Sequence, residues 1–148
     1  MVITVLHKEK KLDKKDYMLL EILSENSRTP YSRLAKELGL SEAAIRKRIQ
    51  RLIELGVIKK FTLEYSTGDE VEALILVKVT PPKPVPEAAK QIKKVEDVVK
   101  VYEVAGVYDI VVYVKSTGIA GVNRVIDKIR SIDGVNETNT MMILRTWV

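Results

Sequence analysis

The sequence predicts an α+β protein: an N-terminal three-helix helix-turn-helix domain, winged-helix-like, followed by a C-terminal ferredoxin-like βαββαβ domain. Three observations predict it. Apolar residues recur at helical spacing as far as Gly56 and then switch to alternation or unbroken apolar runs. A tight turn through Gly39 and Leu40 separates two short helical patterns. The order strand, helix, strand then occurs twice. The expected segments are an N-terminal arm at 1–11, the helical domain at 12–60, a connecting strand or linker at 61–71, and the second domain at 72–148.

Taken in order, Met1–Lys11 is a short apolar run followed by a basic patch, read as an extra strand or an arm. Leu12–Ser24 has a clear helix start. Asp13 is the cap, Asp16 stands three residues later, and Leu12 and Tyr17 are placed for a hydrophobic staple. Leu19, Leu20 and Leu23 supply the buried face. Thr29 is expected to cap the next helix with Pro30 in its first position, and Leu34, Ala35 and Leu38 to form its apolar side. Gly39 is the left-handed stop, and Ser41 caps a third helix whose stripe is Ile45, Ile49 and Leu52.

After Gly56, Phe61, Leu63 and Tyr65 alternate with Lys60, Thr62 and Glu64, which predicts a strand with one wet face. Ser66-Thr67-Gly68-Asp69 is a turn and a plausible domain boundary. Ala73–Thr80 follows as an apolar strand. A loop with four of the five prolines leads to a helix burying Ala88, Ile92 and Val95, and then to the strand Val98–Ala105. Asp109–Lys115 opens the second unit. Its helix uses Ile119, Val122, Ile126 and Ile129, and Gly134 precedes a strand over Val135–Trp147. Segments 73–77, 110–114 and 141–144 are apolar at every position, whereas a sheet covered on one side alternates. Its second face therefore calls for a partner, and a sheet-to-sheet homodimer provides one.

Composition excludes several classes. The chain has 148 residues, no cysteine and one histidine, His7. No disulfide framework, Cys-based zinc site or nucleophile–histidine pair follows from such a set. No glycine pattern cradles phosphate, and no apolar run reaches membrane-spanning length. No metal, no cofactor and no active site are expected, and a cytoplasmic location is the default. Net charge is +5 and uneven: residues 1–65 hold 14 Lys and Arg against 9 Asp and Glu, while residues 66–148 hold 11 of each. The excess sits with the helix-turn-helix, which points to a nucleic-acid partner for that half.

The wet face of the third helix sharpens this. Ala43, Lys47, Gln50 and Arg51 point away from the stripe, with Ala44 and Arg46 on its shoulders and Arg48 nearer the seam. Small residues at the start admit base edges, and the cations beyond reach phosphate. Ser41 and, at the start of the preceding helix, Tyr31 complete the candidate contacts to double-stranded DNA. A dimer would present two such helices to palindromic half-sites.

One loop in the neutral half stands out. Gly106 permits an open backbone whose N–H groups face an anion, and Asp109 offers a carboxylate to an amine. With Val107 and Tyr108 between them, and Thr138 and Thr140 two apart on the last strand, these residues would suit a zwitterion such as a free amino acid. An ordinary hairpin with a solvated Asp109 explains them equally well.

The run LDKKDYMLLEILSENSRTPYSRLAKELGLSEAAIRKRIQRLIELGVIKKF resembles the DNA-binding half of the Lrp/AsnC, leucine-responsive or feast/famine, regulators. Leu12-Asp13, Asp16, Leu20, Arg28, Leu34-Ala35, Gly39-Leu40-Ser41, Arg48, Leu52, Gly56 and Ile58 carry the likeness. The βαββαβ half is similar to that family's RAM domain (regulation of amino acid metabolism), with Gly106-x-Tyr108-Asp109 in its loop and Gly134-Val135 before Thr138-x-Thr140. The resemblance implies a cytoplasmic transcription regulator built from dimers, often assembled to tetramers or octamers. It also implies an amino-acid effector site between dimers, near the Gly106–Asp109 loop and the threonines. The rival readings are an effector-independent architectural DNA-binding protein and a tetrapyrrole-pathway enzyme of similar layout.

Overall fold

The computed structural model describes residues 11–147. The expected arm at 1–11, Lys11 apart, and His7 lie outside the described residues. The chain forms two compact units that divide between Glu64 and Tyr65.

The first unit is three helices, α1 (Lys14–Glu25), α2 (Tyr31–Leu38) and α3 (Glu42–Glu54). Helix α1 begins where Asp13 and Asp16 each accept the other's backbone N–H, at 2.8 and 3.0 Å, closing the capping box. The staple does not form as expected: Leu12 packs toward the core, but Tyr17 is 61% exposed. Helix α2 also starts differently. Pro30 is its cap residue, and the Thr29 hydroxyl donates backward to the Asn26 carbonyl at 2.7 Å. Proline offers its free carbonyl to Arg33 and Leu34, so the first turn closes without a side-chain cap. Gly39 ends α2 at φ 63°, ψ 42°, a backbone that costs a Cβ-bearing residue strain. Two residues later the Ser41 hydroxyl accepts the Ala44 N–H at 3.1 Å and α3 begins. Leu19, Leu23, Leu34, Ala35, Leu38, Ile45, Ile49 and Leu52 make one core.

The strand expected at Phe61–Tyr65 is absent. These residues form no strand, and Leu63 is 77% exposed. Alternation fits a pleated ribbon, but a strand needs a neighbour to take its hydrogen bonds, and this segment has none among the described residues.

The second unit runs β1 (Glu70–Val79), α4 (Val85–Ile92), β2 (Val98–Glu103), β3 (Ile110–Thr117), α5 (Gly118–Arg130) and β4 (Val135–Met142). The four strands are antiparallel in the order β2-β3-β1-β4, the split βαβ arrangement. Ile75, Val77, Ile110, Val112 and Val114 point to the helix-covered face and are buried with Ala88, Ile92, Val125 and Ile129, and Ala73, opposite Val114, is buried too. On α5 the register of burial differs from expectation. Ile119 is 65% exposed, while Val125 joins Val122, Ile126 and Ile129 against the sheet. The helix starts at Gly118, so Ile119 lies in its first turn, at the open end of the stripe and exposed. Strand β4 ends at Met142 rather than Trp147. Ile143 still donates to Glu72, but Leu144 is 95% exposed.

Among the described residues nothing covers the opposite face. Leu74 pairs across to Tyr113 and Met141, Leu76 to Val111 and Asn139, and Tyr102 to Val111. Met141, Tyr102 and Asn139 are exposed, and Leu74, Leu76, Val111 and Tyr113 half-buried.

Candidate nucleic-acid interface and effector loop

Burial of Ile45, Ile49 and Leu52 turns the other side of α3 outward. Ala43, Arg46, Lys47 and Gln50 are exposed, and Ala44 is half-buried. The Arg46 guanidinium lies over the Tyr31 ring, 4.9 Å from its centroid. Tyr31 packs against the core, so its ring is a fixed platform and Arg46 is held on a defined path. Gln50 donates to Glu54 at 3.1 Å, a bond within the helix surface that a base edge could replace. Lys47 stands without a partner among the described residues.

Arg48 and Arg51 are placed otherwise than their positions on the helix suggest. Arg48 donates to Asp13 at 2.7 Å and to Asp16 at 2.8 Å, and Arg51 donates to Asp16. The Asp16 side chain is 0% exposed. Burial by itself pushes its carboxyl toward neutrality. The Asp13 N–H and the two guanidiniums outweigh that and hold its pKa below the usual aspartate value. The Arg48 hydrogen bond likewise lowers Asp13, and the two carboxylates raise Arg48. Two of the expected phosphate contacts are thus engaged inside the domain. Their partners had been legible only as caps. The missed signal was spacing: an acid pair three apart on α1 and an arginine pair three apart on α3 present matching faces.

In the second unit the expected effector residues fall into two groups. Gly106 sits at φ 149° in the loop from β2 to β3, and Val107 is 76% exposed. The Tyr108 hydroxyl donates to Glu137 at 3.2 Å and accepts from Asn139 at 3.3 Å. Glu137 and Asn139 pair with Lys78 and Leu76, on the open face of the sheet. Thr138 and Thr140 pair with Val77 and Ile75, whose side chains are on the helix-covered face. Thr138 accepts from Arg130 at 3.0 Å. A single chain therefore does not gather the loop and the two threonines around one ligand. Asp109, expected to be open to an amine, accepts the Val79 N–H through Oδ2 at 2.8 Å.

The AsnC-type helix-turn-helix domain matches residues 12–53, and the Lrp/AsnC ligand binding domain matches residues 72–148. The chain belongs to the Lrp/AsnC family. It is 54% identical over 136 residues to the HTH-type transcriptional regulator LysM of Saccharolobus solfataricus, covering 92% of this chain and 96% of that one. Escherichia coli AsnC matches in structure with a TM-score of 0.78 at 29% identity, over 93% of this chain and 95% of that one. A feast or famine regulatory protein from M. tuberculosis, complexed with L-methionine, matches with a TM-score of 0.85 at 27% identity and the same coverage. This Lrp/AsnC chain is a helix-turn-helix transcriptional regulator, and the tetrapyrrole-enzyme reading falls with that. No described helix is long and apolar enough to cross a membrane.

Proposed function

We propose that this regulator acts in the cytoplasm as a symmetric homodimer, assembling further to tetramers or octamers. In it, two α3 helices read a palindromic operator, and an amino acid bound near the Gly106–Asp109 loop shifts the assembly. The observation that supports the DNA reading best is the outer side of α3. There Ala43 and Ala44 give room at the helix start, while Arg46 on Tyr31 and Lys47, which has no partner among the described residues, extend toward the backbone of the duplex. Gln50 and Ser41 complete the contact set. Dimerisation is supported by the uncovered apolar face around Leu74, Leu76, Val111 and Met141, a patch that a lone chain would leave in water.

The effector reading gains from the split between Tyr108 and the two threonines. Groups on opposite faces of one sheet edge become one site only when neighbouring copies meet there. The L-methionine carried by the M. tuberculosis relative supports an amino acid as the ligand class. A ligand bound between copies favours the assembly that creates its site. Calorimetry against the twenty amino acids, paired with sedimentation, tests this. Heat from at least one of them together with a change in assembly size is expected, and silence from all twenty would sink it.

The effector-independent, architectural reading is favoured by one observation: the Asp109 carboxylate is already engaged by Val79. Footprints on the DNA upstream of the protein's own gene that stay identical with and without amino acids would select it.

A further inference from the structure

The α3 surface holds four cations, Arg46, Lys47, Arg48 and Arg51, but two of them face a buried anion. Asp16 Oδ1 receives Arg48, and Asp16 Oδ2 receives both Arg51 and the Asp13 N–H. Asp13 takes a second bond from Arg48, and the Lys11 carbonyl takes one from Arg51 at 3.4 Å. The Arg48 side chain is only 24% exposed. For either guanidinium to reach a phosphate it must leave Asp16 short of counter-charge in a site without water contact. Stranding a buried ion costs more than an exposed ion pair returns.

We propose that Asp16 is a positioning residue that withholds Arg48 and Arg51 from DNA phosphate, leaving Arg46 and Lys47 as the cationic contacts of α3. This rests on the reading of α3 as the DNA-contacting helix. A helix with four free cations would grip any duplex. Sequestering two of them lowers that sequence-independent affinity while leaving base contacts in place, which raises the ratio of operator to random binding. The same cluster ties α3 to the start of α1, so the reading helix is held by charge as well as by its apolar stripe.

The test is the salt dependence of binding to an operator duplex and to a mixed-sequence duplex, measured on the full chain. Each phosphate contact contributes roughly 0.9 to the slope of log K against log salt. Lys47→Ala is expected to lose about one such unit. Arg51→Gln is expected to leave the slope within half of one unit, and Arg48→Gln likewise. Asp16→Asn, which keeps the shape but not the charge, is expected to steepen the slope by one to about two units and to tighten random-duplex binding more than operator binding. Thermal melts by circular dichroism accompany each variant. Should Asp16→Asn fail to fold, the two arginine variants decide alone. A loss of a full unit in folded Arg51→Gln, or an unchanged slope in folded Asp16→Asn, overturns the proposal. A Lys47→Ala slope equal to wild type instead removes α3 as the contacting helix, a separate failure that the arginine variants do not mimic.

Discussion

Asp109 accepts the backbone N–H of Val79 at 2.8 Å, one step beyond the last β1–β3 pair, Val77 with Ile110. The carboxylate continues a ladder that the backbone itself has abandoned, because the chain turns away into the Gly106–Tyr108 loop. Asp109→Ala leaves that half-buried N–H without an acceptor and is expected to cost about 1–3 kcal/mol. Asp109→Asn keeps a side-chain oxygen and is expected to cost less than about 1 kcal/mol. Urea unfolding of the two variants measures the difference. If Asp109→Asn also keeps full amino-acid binding, the carboxylate is structural and does not recognise an amine.

Tyr31 sits beneath Arg46, and under the proposed reading of α3 it acts on DNA binding only by placing that guanidinium. Replacing it with Leu removes the ring face while keeping apolar bulk against the core. The loss of a partly exposed cation–π contact is about 0.5–1 kcal/mol, so operator affinity is expected to fall roughly two- to fivefold. Tyr31→Phe retains the ring and should bind as wild type. Fluorescence anisotropy with labelled operator separates the two. A Phe variant as weak as the Leu variant would mean the hydroxyl touches DNA directly.

The starts of α1 and α3 and the apolar stripes of the first unit are legible because each is local. The Asp13 and Ser41 caps, Gly39 at positive φ, and the Ile45-Ile49-Leu52 stripe are decided within a few residues of themselves. What failed depended on partners. Phe61–Tyr65 has the period of a strand but no neighbour to pair with among the described residues, and the run past Met142 has apolar residues but leaves the ladder after Ile143. The roles of Arg48 and Arg51 were hidden for the same reason. Their carboxylates lie more than thirty residues away in the chain, and counting charge on one helix cannot see them. Thr138 and Thr140 share a face, as their spacing predicts, but that Tyr108 bonds to residues of the other face is not legible, because strand alternation fixes which residues share a face only once the register is known.

Gly121 on α5 lies against the buried Ser116 of β3. A Cβ built on it would stand 1.9 Å from the Ser116 hydroxyl oxygen, far inside contact distance, and Ser116 is itself tied to Asp97 at 2.6 Å. Gly121→Ala is therefore expected to push α5 off the sheet at a cost of about 1–3 kcal/mol despite alanine's better helix propensity. Adding Ser116→Gly opens the space and should recover part of the loss. Denaturant midpoints of the single and double variants give the coupling.

Leu76 occupies the middle of the uncovered sheet face, between Val111 and Asn139. Leu76→Glu places a charge at the centre of the proposed dimer contact without touching the helix-covered core. The variant is expected to fold with unchanged secondary structure and to sediment as a 16.7 kDa particle, with operator binding weakened at least tenfold because the two half-sites are no longer linked. Sedimentation velocity and anisotropy on the same sample read both effects. A dimer that survives this charge would place the contact elsewhere.

Asp13 and Asp16 give the N-terminal domain an acid sensitivity whose sign follows from their shifts. Both pKa values are lowered in the folded chain from the ordinary 3.8. The unfolded state therefore takes up protons first as pH falls. The stabilisation from these carboxylates is complete above the unfolded value and drains away below it, through the folded values. Helical signal followed by circular dichroism should show the melting temperature nearly flat with pH until that region and then falling. In Arg48→Gln the cation that holds Asp13 down most strongly is gone, and Asp16 loses one of its two. Its melting temperature is expected to be lower at neutral pH and to fall less on acidification, so that the two curves converge in acid. Parallel curves would show that Arg48 stabilises the domain by packing its side chain, not by its charge.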